Sequence, residues 1–275
     1  MIQNEEKSKS TLGIKRKTDQ YILPPTQVSS LHQDGQYDIY PRHHMGSGKV
    51  FEGYEGLADF IIKHKTVCLD GFSGVAWEIV AHKICDAIKS KGFKVNAIAI
   101  EECLKDENEI ISMVAPFLGD EESVWGRKCD FSLVDYFDRE KLRTVQPNDQ
   151  NMINIVYGSG ASLVDWDCPL VYFDLPKNEL QYRMRAGSIT NLGISSSNVD
   201  FKMYKHYYFI DWVVLNQEKE RLSSKIDVIV DAQFSSTITW SHMNDIKEAL
   251  KVMATSVFRV RPWFEPGAWG GEWMK

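Results

Sequence analysis

The chain has 275 residues, 43% hydrophobic and 25% charged, which suffices for one large or two small domains with a sizeable core. The net charge of −6 and the lack of a basic face argue against a nucleic-acid partner. No apolar run has the roughly 18–20 residues of a membrane span, and the polar start MIQNEEKSKS is not a signal peptide. Together with five widely spaced cysteines and no CxxC pair, these features predict a cytoplasmic protein without a membrane partner.

Short apolar strands alternate with helices along the chain. A polar arm over residues 1 to about 35 and a short amphipathic helix at Gly53–Lys65 precede five predicted strands: TVCLDG, FKVNAIAI, NMINIVYGSGASLV, PLVYFDLP and KIDVIVDAQ. Helices are predicted at Ala76–Lys91, after the first strand, and at NELQYRMRAG, after the fourth. This alternation predicts an α/β fold with a doubly wound, mostly parallel sheet and helices on both faces. A ligand crevice is expected at the carboxyl ends of the strands.

The turn after the first strand, GFSGVAWE, has the outline of a phosphate-binding loop. Such a loop reads G-x-x-x-x-G-K-[ST]: backbone N–H groups wrap the phosphates, the lysine bridges them and the hydroxyl holds magnesium. On that frame the second glycine, the lysine and the hydroxyl residue are replaced. Three interpretations stay open: a tight strand-to-helix turn, which the sequence favours, an altered anion site, and a working ATP site. The loop residues in question are Gly71, Ser73, Gly74, Ala76, Trp77 and Glu78.

The order of elements over Thr66–Gln233 resembles the uridine kinase and phosphoribulokinase branch of phosphate-loop kinases. The resemblance implies a P-loop NTPase-like three-layer sandwich. In that branch an acidic residue after the second strand accepts the proton of the acceptor hydroxyl, and AIAIEECLK offers Glu101 or, as the alternative, Glu102. An Asp-x-Phe-Asp motif approaches the acceptor substrate, and DYFD at 135–138 resembles it, which makes Asp135 a second catalytic candidate.

The same resemblance marks a lid and a lost carboxylate. A later helix of the branch carries paired arginines that clamp phosphates, so Arg183 and Arg185 are candidate lid-like anion-binding residues. Tyr157 stands where an active member has a carboxylate that organises magnesium. The alternatives are simpler: a solvated Glu101, helix-surface arginines, and Asp135 as a helix cap. Because lysine, hydroxyl and carboxylate are all replaced, the resemblance implies a degenerate kinase-like domain.

The tryptophan-rich end of the sequence has a different resemblance. VFRVRPWFEPGAWGGEWMK contains Arg261–Pro262, six residues, and then Trp269–Gly271. This spacing resembles the opening of type I mannose-6-phosphate isomerases, the cupin-type zinc enzymes, in bacterial proteins with an N-terminal extension. The chain is therefore divided into an arm and lead-in (1–50), a kinase-like α/β domain (51–235), and a connector helix with the start of a truncated cupin segment (236–275).

The two resemblances together predict a function in sugar-phosphate metabolism. The chain is expected to be the N-terminal, degenerate kinase-like domain of a mannose-6-phosphate isomerase-like polypeptide, without phosphotransferase activity of its own. Its expected partners are a phosphorylated small molecule (a sugar phosphate or nucleotide) and the downstream cupin domain. No cofactor or metal is expected in this chain, and zinc is expected only in the downstream domain. An active small-molecule kinase with an atypical loop and a non-enzymatic interaction domain stay open as alternatives.

Overall fold

A seven-stranded sheet forms the centre of the computed structural model, which describes residues 14–17, 45–148 and 152–256. The strand order is β1-β7-β6-β5-β2-β4-β3. Neighbours from β3 to β6 pair in parallel, whereas β7 is antiparallel to both β6 and β1. The strands are β1 (Phe51–Glu52), β2 (Thr66–Gly71), β3 (Val95–Ala99), β4 (Ile153–Tyr157), β5 (Leu170–Asp174), β6 (Ile226–Asp231) and β7 (Thr239–His242).

The helices form two groups around this sheet. In the first group, α1 packs against α2. In the second group, α3 contacts a π-helical segment, Tyr207–Asp211, and α7 contacts the short turn Leu133–Tyr136. Crossovers between parallel strands are almost always right-handed, so connections that leave β2 and β4 in opposite directions along the sheet place their helices on opposite faces. The helices are α1 (Tyr54–His64), α2 (Trp77–Ser90), α3 (Glu107–Leu118), α4 (Arg139–Thr144), α5 (Lys177–Arg185), α6 (Asp200–His206), α7 (Trp212–Leu222) and α8 (Met243–Thr255). The predicted doubly wound, mostly parallel α/β fold is confirmed.

The central strands are buried along their length, which explains their continuous apolar runs. Residues 67–71 of β2, 153–156 of β4 and 170–173 of β5 are all buried. A strand covered on both faces has no position at which a polar side chain reaches water, so apolar residues follow one another without alternation. β6 lies nearer the sheet's edge, and its exposed Asp227 and Asp231 alternate with buried Val228 and Val230.

The sheet extends past the predicted domain boundary at residue 235. Residues 228–231 of β6 pair with residues 239–242 of β7, and the rings of Phe51 and Trp240 stack 4.3 Å apart between β1 and β7. α8 follows directly and contacts β6 and β7. Residues 239–255 therefore belong to the α/β domain and do not form a separate connector. The predicted cupin-like segment, with Arg261–Pro262 and Trp269–Gly271, lies outside the described residues.

Candidate functional site

A crevice opens at the carboxyl ends of β2, β3 and β4. The chain passes from β2 to β3, which lies on one side of β2, and from β4 to β5, which lies on the other side. The connections that leave the neighbouring strands β2 and β4 therefore run in opposite directions along the sheet. Such a switch point is where parallel sheets bind ligands. The cavity there measures about 440 Å³. Its walls include the loop residues Ser73 and Gly74, the α2 residue Trp77, the end of β4 at Tyr157, and the segment 190–195.

Asp70 ties the two glycine turns beneath this crevice together. Its carboxylate accepts hydrogen bonds from the backbone N–H groups of Gly71 (2.6 Å), Gly160 (2.9 Å) and Ser162 (2.8 Å). Only 1% of the residue is exposed. Burial raises the pKa of the Asp70 carboxyl, and the hydrogen bonds from Ser162, Gly160 and Gly71 oppose that rise. Asp70 is not among the residues predicted from the sequence, although a charged side chain inside the apolar run TVCLDG was the available signal.

The glycines of the loop are required by its conformation. A Cβ on Gly71 would lie 2.4 Å from the carbonyl oxygen of Phe173, and Gly74 has a φ of +87°, which L side chains rarely adopt. The Phe72 N–H donates to Phe173 O (3.0 Å), which continues the β2–β5 pairing into the loop. The hydroxyl of Ser73 is buried and has no hydrogen-bond partner among the described residues. These contacts support the interpretation of a tight strand-to-helix turn and leave one polar atom unsatisfied beside the crevice.

The Trp77 indole fills the position of the expected loop lysine. Its ring meets Phe173 edge-to-face at 5.3 Å, and its Nε1–H donates to the Ser159 hydroxyl at 3.4 Å. A Cβ on Gly71 would lie 3.0 Å from the indole. Trp77 therefore bridges the loop after β2 and the turn after β4. The neighbouring Glu78 is exposed in the first turn of α2, and Ala76 immediately precedes the helix.

Carboxylates surround the crevice near Tyr157, the half-buried residue in place of the expected magnesium-organising carboxylate. Burial raises the pKa of the Tyr157 phenol, and the negative charges of Glu101, Glu102 and Glu78, with the Cys85 thiolate, raise it further. Glu101 and Glu102 are exposed, and both follow β3 in a short 3₁₀ turn. The structure places Glu101 at the crevice with the loop residues Ser73, Gly74 and Trp77, and Glu107 lines the same crevice.

Hydrogen bonds fasten the segment 190–195 to α3. The Glu107 carboxylate accepts bonds from the backbone N–H (3.0 Å) and hydroxyl (2.6 Å) of Ser195. These bonds lower the pKa of Glu107. Lys105 also lines the crevice, and its ammonium group pairs with Glu109 at 2.8 Å. Glu107 and Lys105 therefore already have partners within the protein.

Asp135 lies in a separate groove. Its carboxylate accepts hydrogen bonds from the backbone N–H (2.8 Å) and hydroxyl (3.0 Å) of Ser132, and so closes a capping box on the turn Leu133–Tyr136. Asp138 caps α4 by accepting from the N–H groups of residues 140 and 141. Asp135 lines this groove and Glu101 lines the crevice, and Leu104 and Lys105 line both. The two predicted catalytic carboxylates therefore lie in adjoining cavities, and that of Asp135 is taken up by Ser132.

Arg183 is turned into the protein. It is 1% exposed and donates to the Glu179 carboxylate (3.0 Å) and to the backbone carbonyls of Gly74 (2.7 Å), Ala232 (3.1 Å) and Gln233 (2.8 Å). A guanidinium in these contacts supports the glycine loop from behind and does not face a ligand in the crevice. The predicted lid-like anion-binding role of Arg183 is therefore corrected to a structural one.

Arg185 and Arg183 do not act as a pair. Arg185 is exposed on the same helix, α5, and no hydrogen bond or ion pair joins it to the described residues. Glu179, the partner of Arg183, also accepts hydrogen bonds from the Arg16 guanidinium, the shortest at 2.6 Å. Two arginines thus meet one carboxylate behind the loop, and neither of them is Arg185.

Residues 53–255 match the model of a domain of unknown function, DUF8485. The chain belongs to this family. The DUF8485 chain has no match among curated proteins. Among solved structures it is similar to a "putative fructose transport system kinase" from Silicibacter sp. TM1040, with 12% identity, a TM-score of 0.40, and coverage of 61% of this chain and 94% of that one.

Two further properties bear on the DUF8485 chain. Within the described ranges, no group of three or more His, Cys, Asp or Glu side chains converges in a way that could hold a metal ion. None of the helices in that same part of the chain combines the length and apolar character needed to cross a bilayer. All five cysteines are free thiols, in agreement with their wide spacing in the sequence.

Proposed function

We propose that this DUF8485 domain binds a small polar molecule in the crevice and does not transfer phosphate from nucleoside triphosphates. The packing of Trp77 carries the proposal. Its indole lies against Phe173 and Gly71 and donates to Ser159, so the position of the loop lysine is occupied by a fixed ring. Phosphoryl transfer depends mostly on positioning and on neutralising charge, and an indole supplies no positive charge.

The charges around the crevice support the same proposal. Glu78, Glu101 and Glu102 all raise the pKa of Tyr157, which places their negative charge close to the crevice. Among the described residues that line it, Lys105 is the single cation, and it is paired with Glu109. A triphosphate would therefore meet repulsion without a free cation to offset it. The same field disfavours the phosphorylated partner that the resemblance to kinases implies.

Calorimetric titration with Mg-ATP and Mg-GTP tests the proposal directly. We expect no binding at sub-millimolar nucleotide, and tight binding or a phosphorylated product would contradict the proposal. The double variant Trp77→Lys with Glu78→Thr restores the cation and the hydroxyl, and we expect measurable nucleotide affinity if the loop keeps its backbone. The matched control, Glu248→Thr with Val252→Lys on the exposed face of α8, makes the same change in charge away from the crevice. It should gain no affinity.

We also propose, from the pattern Arg261–Pro262 and Trp269–Gly271, that the natural polypeptide continues into a mannose-6-phosphate isomerase-like segment. The kinase-like domain would then be an N-terminal ligand-binding extension of a cupin-type enzyme. Immunodetection of the endogenous protein tests this, because the printed sequence alone has a mass of 31.6 kDa. A clearly larger native polypeptide with aldose–ketose isomerase activity is expected. An endogenous protein of about this mass that lacks isomerase activity would contradict the proposal.

A further inference from the structure

We propose that the crevice binds a small organic ammonium ion, held against the rings of Trp77 and Tyr157 with Glu101 as its counter-charge. This inference rests on the proposed function and names its ligand class. Three independent features of the crevice carry it: an aromatic pair, an unpaired carboxylate, and a buried hydroxyl without a partner.

The aromatic pair forms two walls of the crevice. The ring centroids of Trp77 and Tyr157 lie 6.4 Å apart with their planes inclined at 42°, and both residues line the cavity. The negative face of an aromatic ring attracts a cation, most strongly for tryptophan, and pairs of such rings are the usual means of binding ammonium groups. Phe173 and Ser159 hold the indole in place, so little conformational freedom is lost when a ligand arrives.

The carboxylate of Glu101 supplies the opposite charge. It is exposed at the crevice, and no hydrogen bond or ion pair joins it to another of the described residues. By contrast, Glu107 is bound by Ser195 and Lys105 by Glu109. Glu102 and Glu78 add to the negative potential at Tyr157, since the charges of both raise the pKa of its phenol. A cation is the ligand that this field attracts, and an anion is excluded.

The third feature is the Ser73 hydroxyl. The residue lines the crevice and is 6% exposed, whereas its hydroxyl oxygen is buried and has no hydrogen-bond partner within the described part of the chain. A buried hydroxyl without a partner is unfavourable, so a ligand that accepts or donates a hydrogen bond when this side chain turns towards the crevice gains affinity. The favoured ligand therefore carries a hydroxyl or another hydrogen-bonding group a short distance from its ammonium group, as amino alcohols do.

Two probes of equal shape separate the contribution of the ligand's charge to binding from the contribution of its shape. Choline carries a quaternary ammonium and a hydroxyl, and 3,3-dimethylbutan-1-ol replaces the nitrogen by carbon and is neutral. Binding is followed by the indole N–H signals in ¹H–¹⁵N NMR, with the Trp77 signal assigned by its loss in Trp77→Phe. We expect choline to shift this signal and to bind about 10-fold more tightly than the alcohol, because a desolvated cation–π contact is worth about that factor. The preference should shrink at high salt.

Single-residue variants test which side chains produce the preference for choline over the neutral alcohol. We expect Glu101→Gln to weaken choline about 5-fold while leaving the neutral alcohol unchanged, since only the cation uses this charge. Trp77→Phe keeps a ring in place but lacks the reporter indole, so its affinity is measured by calorimetry, and we expect it to bind choline more weakly than the wild type. Glu220→Gln, at an exposed position of α7, removes the same charge elsewhere and should leave both probes unchanged. Thermal unfolding of each variant verifies that it is folded; Glu101 is exposed, so its substitution disturbs no packing.

The results that would contradict the ammonium proposal differ from the result that would contradict the proposed function. Equal affinities for the two probes, a Glu101→Gln variant with unchanged choline affinity, or no binding of either probe would overturn the ammonium proposal. These results would leave the proposed function standing, because that depends on the absence of nucleotide binding. Competitive displacement of choline by sub-millimolar Mg-ATP would overturn the proposed function instead, even if the ammonium site were confirmed.

Discussion

Replacing Arg183 by methionine tests whether the buried guanidinium holds the glycine loop. The change removes hydrogen bonds to Glu179 and to the carbonyl groups of Gly74, Ala232 and Gln233. Methionine is apolar and similar in length to the aliphatic part of the arginine side chain, so the substitution mainly removes hydrogen bonds and charge rather than packing. Glu179 keeps the Arg16 guanidinium as a partner, so the loss comes mainly from the three buried carbonyl groups. A buried acceptor without a partner costs about 1–3 kcal/mol, which gives about 3–5 kcal/mol for the three at the lower end of that range. We expect Arg183→Met to lower the free energy of unfolding by about that amount.

Urea denaturation followed by circular dichroism measures this loss. Arg185→Met is the matched control, because Arg185 lies two residues away on the same helix but is exposed. Its effect should stay within about 0.5 kcal/mol. In a domain of this size the Arg183 variant should also melt about 6–20 °C lower, at about 2–4 °C per kcal/mol. A loss below about 1 kcal/mol, or equal losses for the two arginines, would refute the structural role assigned to Arg183.

Two further predictions concern the loop and the wall of the crevice. Gly71→Ala places a Cβ 2.4 Å from Phe173 O, so we expect it to lower the free energy of unfolding by about 1–3 kcal/mol in urea denaturation. An unchanged free energy of unfolding would show that the loop is looser than described. Ser195→Ala removes a hydroxyl that lowers the pKa of Glu107, so that pKa should rise towards 4.5 in an NMR titration. In the wild type, the stability gained from Glu107 is present above about pH 4.5 and lost as the pH falls through the lowered pKa, so Ser195→Ala should reduce this acid dependence. An unchanged titration curve would contradict the assigned contact.

The central strands were predictable because burial on both faces leaves a simple pattern. Continuous apolar runs such as TVCLDG and PLVYFDLP correspond to β2 and β5, with bounds close to those expected. β7 was not predicted, since three of its four residues, Thr239–His242, are polar and the strand lies next to the edge of the sheet. Their strand conformation depends on pairing with β6 and β1, a tertiary contact that local periodicity does not encode.

The candidate site was predictable in its location but not in its contacts. A glycine turn after a buried strand marks the crevice, and the loss of the loop lysine is visible at Trp77. The partners of the loop are far away in the chain: Asp70 reaches Gly160 across 90 positions, and Arg183 reaches Gly74 across 109. Such distances also explain why Arg183 was assigned to a lid. Arginine on a helix is usually a surface residue, and only the fold shows that this one points inward.

The loop keeps the outline of a phosphate site because three side chains hold its backbone. Asp70 ties its start to the turn after β4, Trp77 packs its end against the same turn, and Arg183 binds its central carbonyl at Gly74. A phosphate-binding loop shaped by its ligand would need none of these contacts. Here the protein itself supplies them, so the crevice beside Ser73 is formed before any ligand enters. A preformed site of this kind loses little conformational freedom when a ligand binds, which suits a small ligand with few contacts.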